Sequence, residues 1–148
     1  MIGPIVTLAA TDADDLETIS ARLQDAVARV ADFAWLPKTQ RFAGLFNRYR
    51  WEEDGRAPGS RVRSGLHFDN VLSARASEID RTNPEAVVSL LAIRFQPRGP
   101  VDPAGTIELL FAGGATLRLE VECISAELTD LAGEWPARAR PAHQIDET

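Results

Sequence analysis

From Thr116 to Cys123 the chain alternates without interruption: Leu117, Leu119, Val121 and Cys123 fall on one side, and Thr116, Arg118, Glu120 and Glu122 on the other. A side-chain period of two is the signature of a half-buried β-strand, with an apolar face on a core and a charged face in water. The pattern therefore predicts a buried Cys123. It also constrains the neighbouring run, because Ile107, Leu109 and Phe111 recur at the same spacing within Thr106 to Phe111, and Gly113 and Gly114 lie between the two. A two-residue Gly113-Gly114 turn would set Leu109 against Arg118 and Ile107 against Glu120, mixing apolar and charged groups on both faces. One slip exchanges the faces of a whole strand, at about 1.5–3 kcal/mol for each misplaced apolar side chain. The expectation is thus an odd-length loop, most simply Gly113-Gly114-Ala115 with a glycine at positive φ, or an equivalent bulge. Phe111 would then face Leu117, Leu109 would face Leu119, and Ile107 would face Val121.

The rest of the chain reads as more sheet behind one helix. Thr11 is placed to N-cap a helix, Asp14 and Asp15 favour its positive end, and Leu16, Ile19 and Leu23 recur at helical spacing until about Gln24. Ala26 to Leu36 reads as a strand, with an extended helix as the alternative. Pro37 to Gln40 then connects to a return strand, Arg41 to Trp51. In that pairing Trp35 opposes Phe42 and Ala31 opposes Phe46, which puts Phe33, Trp35, Phe42 and Phe46 on one face as a core layer or, less commonly, a stacking platform. Glu53 to Ser60 is a polar loop. Val62, Leu66 and Phe68 alternate with Arg61, Arg63, His67 and Asp69, and Val71 to Ile79 continues the sheet. Arg81 to Pro84 is a turn, or the start of a short helix capped by Asn83. Ala86 to Phe95 is apolar on both faces and fits a central strand or a buried helical segment. Gln96 to Gly105 is a loop. The class is α+β: a mostly antiparallel, curved sheet, open or closed into a barrel, with the N-terminal helix packed on one face.

Composition bounds what such a domain does. The 148 residues fit one globular domain over 1–135, and Pro136, Pro141 and polar neighbours make 136–148 a flexible tail. A single cysteine excludes an internal disulfide and suits a reducing compartment. The start of the chain has no basic leader, and no apolar run approaches the ~20 residues of a membrane span, so the expected setting is the cytoplasm, without membrane contact. The net charge of −6 opposes the positive field that phosphate backbones require, so nucleic acid is not the expected partner.

The chemistry-bearing residues are few. His67 and Asp69 share the polar face of their strand while Ser64 points the other way, so no Ser-His-Asp relay forms there. The only other histidine is His143, and a zinc site usually needs about three protein ligands; no metal and no cofactor is expected. Cys123 reads as packing, and Gly113-Gly114 lacks the lysine and helix of a phosphate loop. Glu108, Glu120, Glu122, Glu127 and Asp130 read as a solvated sheet face. One constellation stands above this background. Arg48, Arg50, Arg63 and His67, with Trp51 and Asp69, flank one loop and would form an anion-accepting patch if their side chains shared a face. The competing reading is an ordinary charged surface neutralised by Glu52, Glu53 and Asp54. The expected function is a non-catalytic binding or scaffold protein using this arginine-rich face or a sheet edge, with a second protein, another copy of itself or a small anion as partner. The alternative is a small-molecule enzyme acting on a carboxylate or phosphate, with His67 as acid and base.

Several blocks carry a resemblance: Leu23-Gln24-Asp25-Ala26-Val27, Ala34-Trp35-Leu36-Pro37, Asn47-Arg48-Tyr49-Arg50-Trp51-Glu52, Leu66-His67-Phe68-Asp69, Leu90-Leu91-Ala92-Ile93-Arg94-Phe95 and Val121-Glu122-Cys123-Ile124. In this order they resemble an uncharacterised bacterial family catalogued as domain of unknown function 2948. The likeness runs from about Leu8 to Pro141. It implies a bacterial cytoplasmic protein and brings no activity, ligand or catalytic residue with it.

Overall fold

A computed structural model describes residues 7–49 and 61–131. The hairpin that dominates the sequence forms from β8 (Gly105–Phe111) and β9 (Thr116–Val121), with the parity its apolar residues require. Leu109 faces Leu117 and Ile107 faces Leu119, while Glu108 faces Arg118 across a 3.0 Å ion pair. The expected partners were two residues away, a slip that keeps every face unchanged. The loop is Ala112-Gly113-Gly114, closed by Phe111 N donating to Ala115 O at 2.9 Å. Gly113 and Gly114 sit at φ 83° and 88°, so the odd-length loop centres on the two residues that adopt this conformation without a Cβ clash. Ala115 is released into the core instead.

The alternation of the sequence outruns the strand. After Val121 the chain bends, Glu122 N donates to Asn70 O at 3.0 Å, and Ile124 takes the buried position. Cys123, expected in the apolar core, is half-buried outside the strand, and its Sγ accepts a hydrogen bond from Asn70 Nδ2 at 3.3 Å. The bend resets the parity, which no local pattern announces.

The remaining elements are β1 (Thr7–Ala10), α1 (Ala13–Arg22), β2 (Val27–Arg29), β3 (Phe33–Leu36), β4 (Arg41–Tyr49), β5 (Arg61–Phe68), β6 (Val71–Ser77), β7 (Val87–Pro97) and β10 (Ala126–Asp130). All pair antiparallel in the order β1-β10-β5-β4-β2-β7-β8-β9-β6, with β3 paired to β4. The sheet curls without closing, as an α+β fold with a single helix among the described residues. The helix begins at Asp12, whose side chain accepts from Asp15 N at 2.8 Å; Thr11 lies one residue too early to reach that donor. Leu16, Ile19 and Leu23 are buried, and α1 packs against β1 and β7. β7 is a strand, which removes the helical alternative for Ala86 to Phe95; Leu90 and Ile93 are buried, whereas Val87 and Leu91 are exposed. A bulge between Leu90 and Ala92 frees Ile93 N, which donates to Ser20 Oγ at 2.8 Å.

The stretch expected as one strand from Ala26 to Leu36 is two, split by a 3₁₀ turn at Val30–Asp32. The turn sends its backbone donors elsewhere: Val30 N to Ala86 O and Ala31 N to Pro84 O, each 2.9 Å. Trp35 does face Phe42, but Ala31 does not face Phe46, because the turn takes it out of the ladder. The segment 81–84 is a turn and starts no helix. The expected aromatic layer forms on the inner face. Phe33 lies 5.9 Å from Phe42, 5.7 Å from Phe46 and 6.2 Å from Phe111, and a Cβ on Gly44 would come within 2.8 Å of the Phe33 ring. No helix of the described residues is long and apolar enough to cross a membrane. The expectations for the Glu53–Ser60 loop and the 136–148 tail lie outside the described residues.

Candidate functional site

Strand parity separates the residues expected to converge. Phe42, Phe46 and Arg48 alternate onto the inner face of β4, whereas Arg63 and His67 alternate onto the outer face of β5. Arg48 is fully buried. Its Nε and Nη2 donate to Asp130 Oδ1 and Oδ2 at 2.9 and 2.7 Å, and its Nη1 donates to Tyr49 O at 2.9 Å. Ser64, paired with Asp130 across β5 and β10, donates to Asp130 Oδ1 at 2.7 Å. Asp130 is 2% exposed, so its place on a solvated face is corrected: it is in phase with Ala126 and Leu128 and shares their inner side. The network is a buried bidentate ion pair with a hydroxyl attached, a charge left in the core and compensated there. The single anion-accepting patch read from the sequence does not assemble. Arg48 faces inward, Arg63, His67 and Asp69 lie on the outer side, and Arg50 and Trp51 lie outside the described residues.

On the outer side the charges run in alternating sign. Arg41 Nε donates to Asp69 Oδ1 at 2.7 Å, His67 Nδ1 is 3.5 Å from Asp69 Oδ2, and His67 Nε2 is 3.3 Å from Glu127 Oε1. Across the groove the buried Asp32 carboxylate meets Arg29 at 3.3 Å and Arg63 at 3.8 Å, and Arg29 reaches Glu85 at 3.0 Å. The groove has a volume of about 440 Å³ and a floor of Ala43, Leu45 and Gly65. Arginine and carboxylate match along it, so its potential has no strong anion-attracting excess. No cluster of metal-ligating side chains occurs among the described residues.

A second cleft opens where the sheet fails to close. β3 pairs with β4 and β6 ends the strand order, so each presents an edge without a strand partner among the described residues. At one end Val71 N donates to Gln40 O at 2.9 Å and draws β6 toward the β3–β4 turn. Beyond that bond a gap of about 240 Å³ is bordered by Phe33, Trp35 and Phe42 on one side and by Ala74, Ala76 and Ile79 on the other. Arg75 and Arg81, both exposed, also line it. The loop carrying Arg81 is held by an Asx turn: Asp80 accepts from Thr82 N and Oγ1, and these bonds, the hydroxyl first, hold its carboxyl below the ordinary aspartate range. Sequence reasoning found the aromatic layer and missed the gap, since the only local signal was the placement of Trp35 and Phe33 at the end of a short strand.

No curated protein and no solved structure matches the chain. The family model described as "Protein of unknown function (DUF2948)" matches residues 6–143, and the chain belongs to that family.

Proposed function

We propose that the protein is a non-catalytic binding module whose site is the seam between β3 and β6. One observation supports it: Phe33 and Trp35 lie on the core face of β3 yet remain half-buried, beside a gap that the fold leaves unfilled. Apolar surface facing water is unfavourable by about 25 cal/mol per Å², so a small molecule covering these rings would be stabilised by burial alone. A reducing, cytoplasmic setting belongs to this reading, in keeping with the single cysteine. The test uses a Trp51→Phe/Trp135→Phe variant, in which Trp35 is the remaining tryptophan, titrated with the neutral probe 2-naphthamide. Backbone and methyl resonances of Phe33, Ala74 and Ala76 should shift together with Trp35 emission. Shifts absent there, or centred on Ala43 and Gly65, would refute the seam as the site.

A second reading is an enzyme on a small anionic substrate with His67 as acid and base. It is favoured by one feature, the placement of His67 between Asp69 and Glu127 at the outer groove. A probe that shifted His67 and Gly65 instead of the seam would move the function to that side.

A further inference from the structure

We infer that the seam selects a small anion with an apolar body, its carboxylate or phosphate head held by Arg75 and Arg81 and its ring or short hydrocarbon held against Trp35 and Phe42; this rests on the seam being the binding site. The argument begins with charge. In a chain of net charge −6, acidic partners are abundant, and Arg29, Arg41, Arg48, Arg63, Arg98 and Arg118 each stand within ion-pair distance of one. No described carboxylate pairs with Arg75 or Arg81. The cross-strand neighbour of Arg75 is Arg118, itself engaged with Glu108, and the carboxylate next to Arg81 is Asp80, which Thr82 occupies. Both arginines therefore line an apolar cleft, and no hydrogen bond or ion pair joins their guanidinium groups to another described residue.

Placement adds to this. Arg75 projects from an edge strand and Arg81 from the loop that follows it. That loop is tied to the far wall of the cleft, where Val30 N and Ala31 N donate to Ala86 O and Pro84 O, and Arg29 pairs with Glu85. A planar fork of donors suits the paired oxygens of a carboxylate or phosphate. The cleft, at about 240 Å³, is smaller than the ~300–1,000 Å³ of drug-sized sites, which limits the body to one or two fused rings. Cations at the mouth and aromatic rings inside thus describe one amphipathic ligand, and a neutral ligand would leave the arginines without a role.

The experiment compares 2-naphthoate, 2-naphthyl phosphate and 2-naphthamide by calorimetry and by chemical-shift mapping, on the parent protein, Arg75→Gln and Arg81→Gln. Both positions are exposed, and an unchanged melting temperature confirms that the variants fold. The anions should bind about tenfold or more tightly than the amide, and each Gln substitution should remove about that factor for the anions while leaving the amide unchanged. The tighter of the two anions names the headgroup. If the amide binds at the seam as tightly as the anions, or if the substitutions leave anion affinity unchanged, the inference is overturned while the seam stands. If none of the three perturbs Phe33, Trp35 or Ala76, the seam itself fails and the inference with it.

Discussion

Asp130→Ala is the substitution whose consequence follows most directly from the structure. It removes both oxygens that receive Arg48 Nε and Nη2 and the acceptor for Ser64 Oγ, while Arg48 remains fully buried. Breaking a buried pair from one side costs about 3–5 kcal/mol, because the surviving guanidinium loses its bidentate carboxylate in a medium that solvates charge poorly. Against a typical domain stability of about 5–15 kcal/mol this is a large fraction. At about 2–4 °C per kcal/mol for a chain of this size, the melting temperature should fall by about 6–20 °C. Removing the whole network should behave differently. Arg48→Met, Ser64→Ala and Asp130→Leu together eliminate the charges and the hydroxyl at once, and apolar replacements of buried pairs are often neutral or better. Urea unfolding followed by tryptophan emission and far-ultraviolet dichroism, at constant m-value, measures both. A loss below about 1 kcal/mol for Asp130→Ala, or a triple variant less stable than the single one, would refute the reasoning that an uncompensated buried charge sets the cost.

Gly105→Ala should cost about 1–3 kcal/mol, because its Cβ would collide with the Gln96 carbonyl and sit 2.7 Å from the Phe95 ring; Gly65→Ala, whose nearest neighbour is Leu45 Cδ2 at 3.9 Å, should stay within about 0.5 kcal/mol in the same denaturation assay. Asp80 should titrate by NMR below the ordinary aspartate range, and Thr82→Val should move it upward by removing the hydroxyl donor. A lowered folded-state pKa means that its contribution to stability is present above the unfolded value and is lost as pH falls through the folded one.

Alternation along a strand is a local property, and it carried most of what the sequence determined. It assigned Leu117, Leu119 and Val121 to the core, set Glu108 on the face of Arg118, required an odd loop at Gly113 and Gly114, and gathered Phe33, Trp35, Phe42 and Phe46 on one side. The same local logic was available for the buried charges, since Arg48 keeps the phase of Phe46 and Asp130 that of Leu128. What it could not provide was their partnership, because the two residues meet through the β4–β5–β10 ladder at a separation of 82 positions. Proximity between Arg48 and Arg63 in sequence suggested a shared patch; the pleat placed them on opposite faces. Only the tertiary structure decided the two-residue shift of the β8–β9 register, the end of β9 at Val121 and with it the position of Cys123. These depend on which backbone donors and acceptors elsewhere are free to pair, such as Asn70 O for Glu122 N. The seam is the extreme case. It lies between β3, whose described partner is β4, and β6, which ends the strand order, so it depends on how far the whole curled sheet carries these two edges toward each other, a property of no single segment.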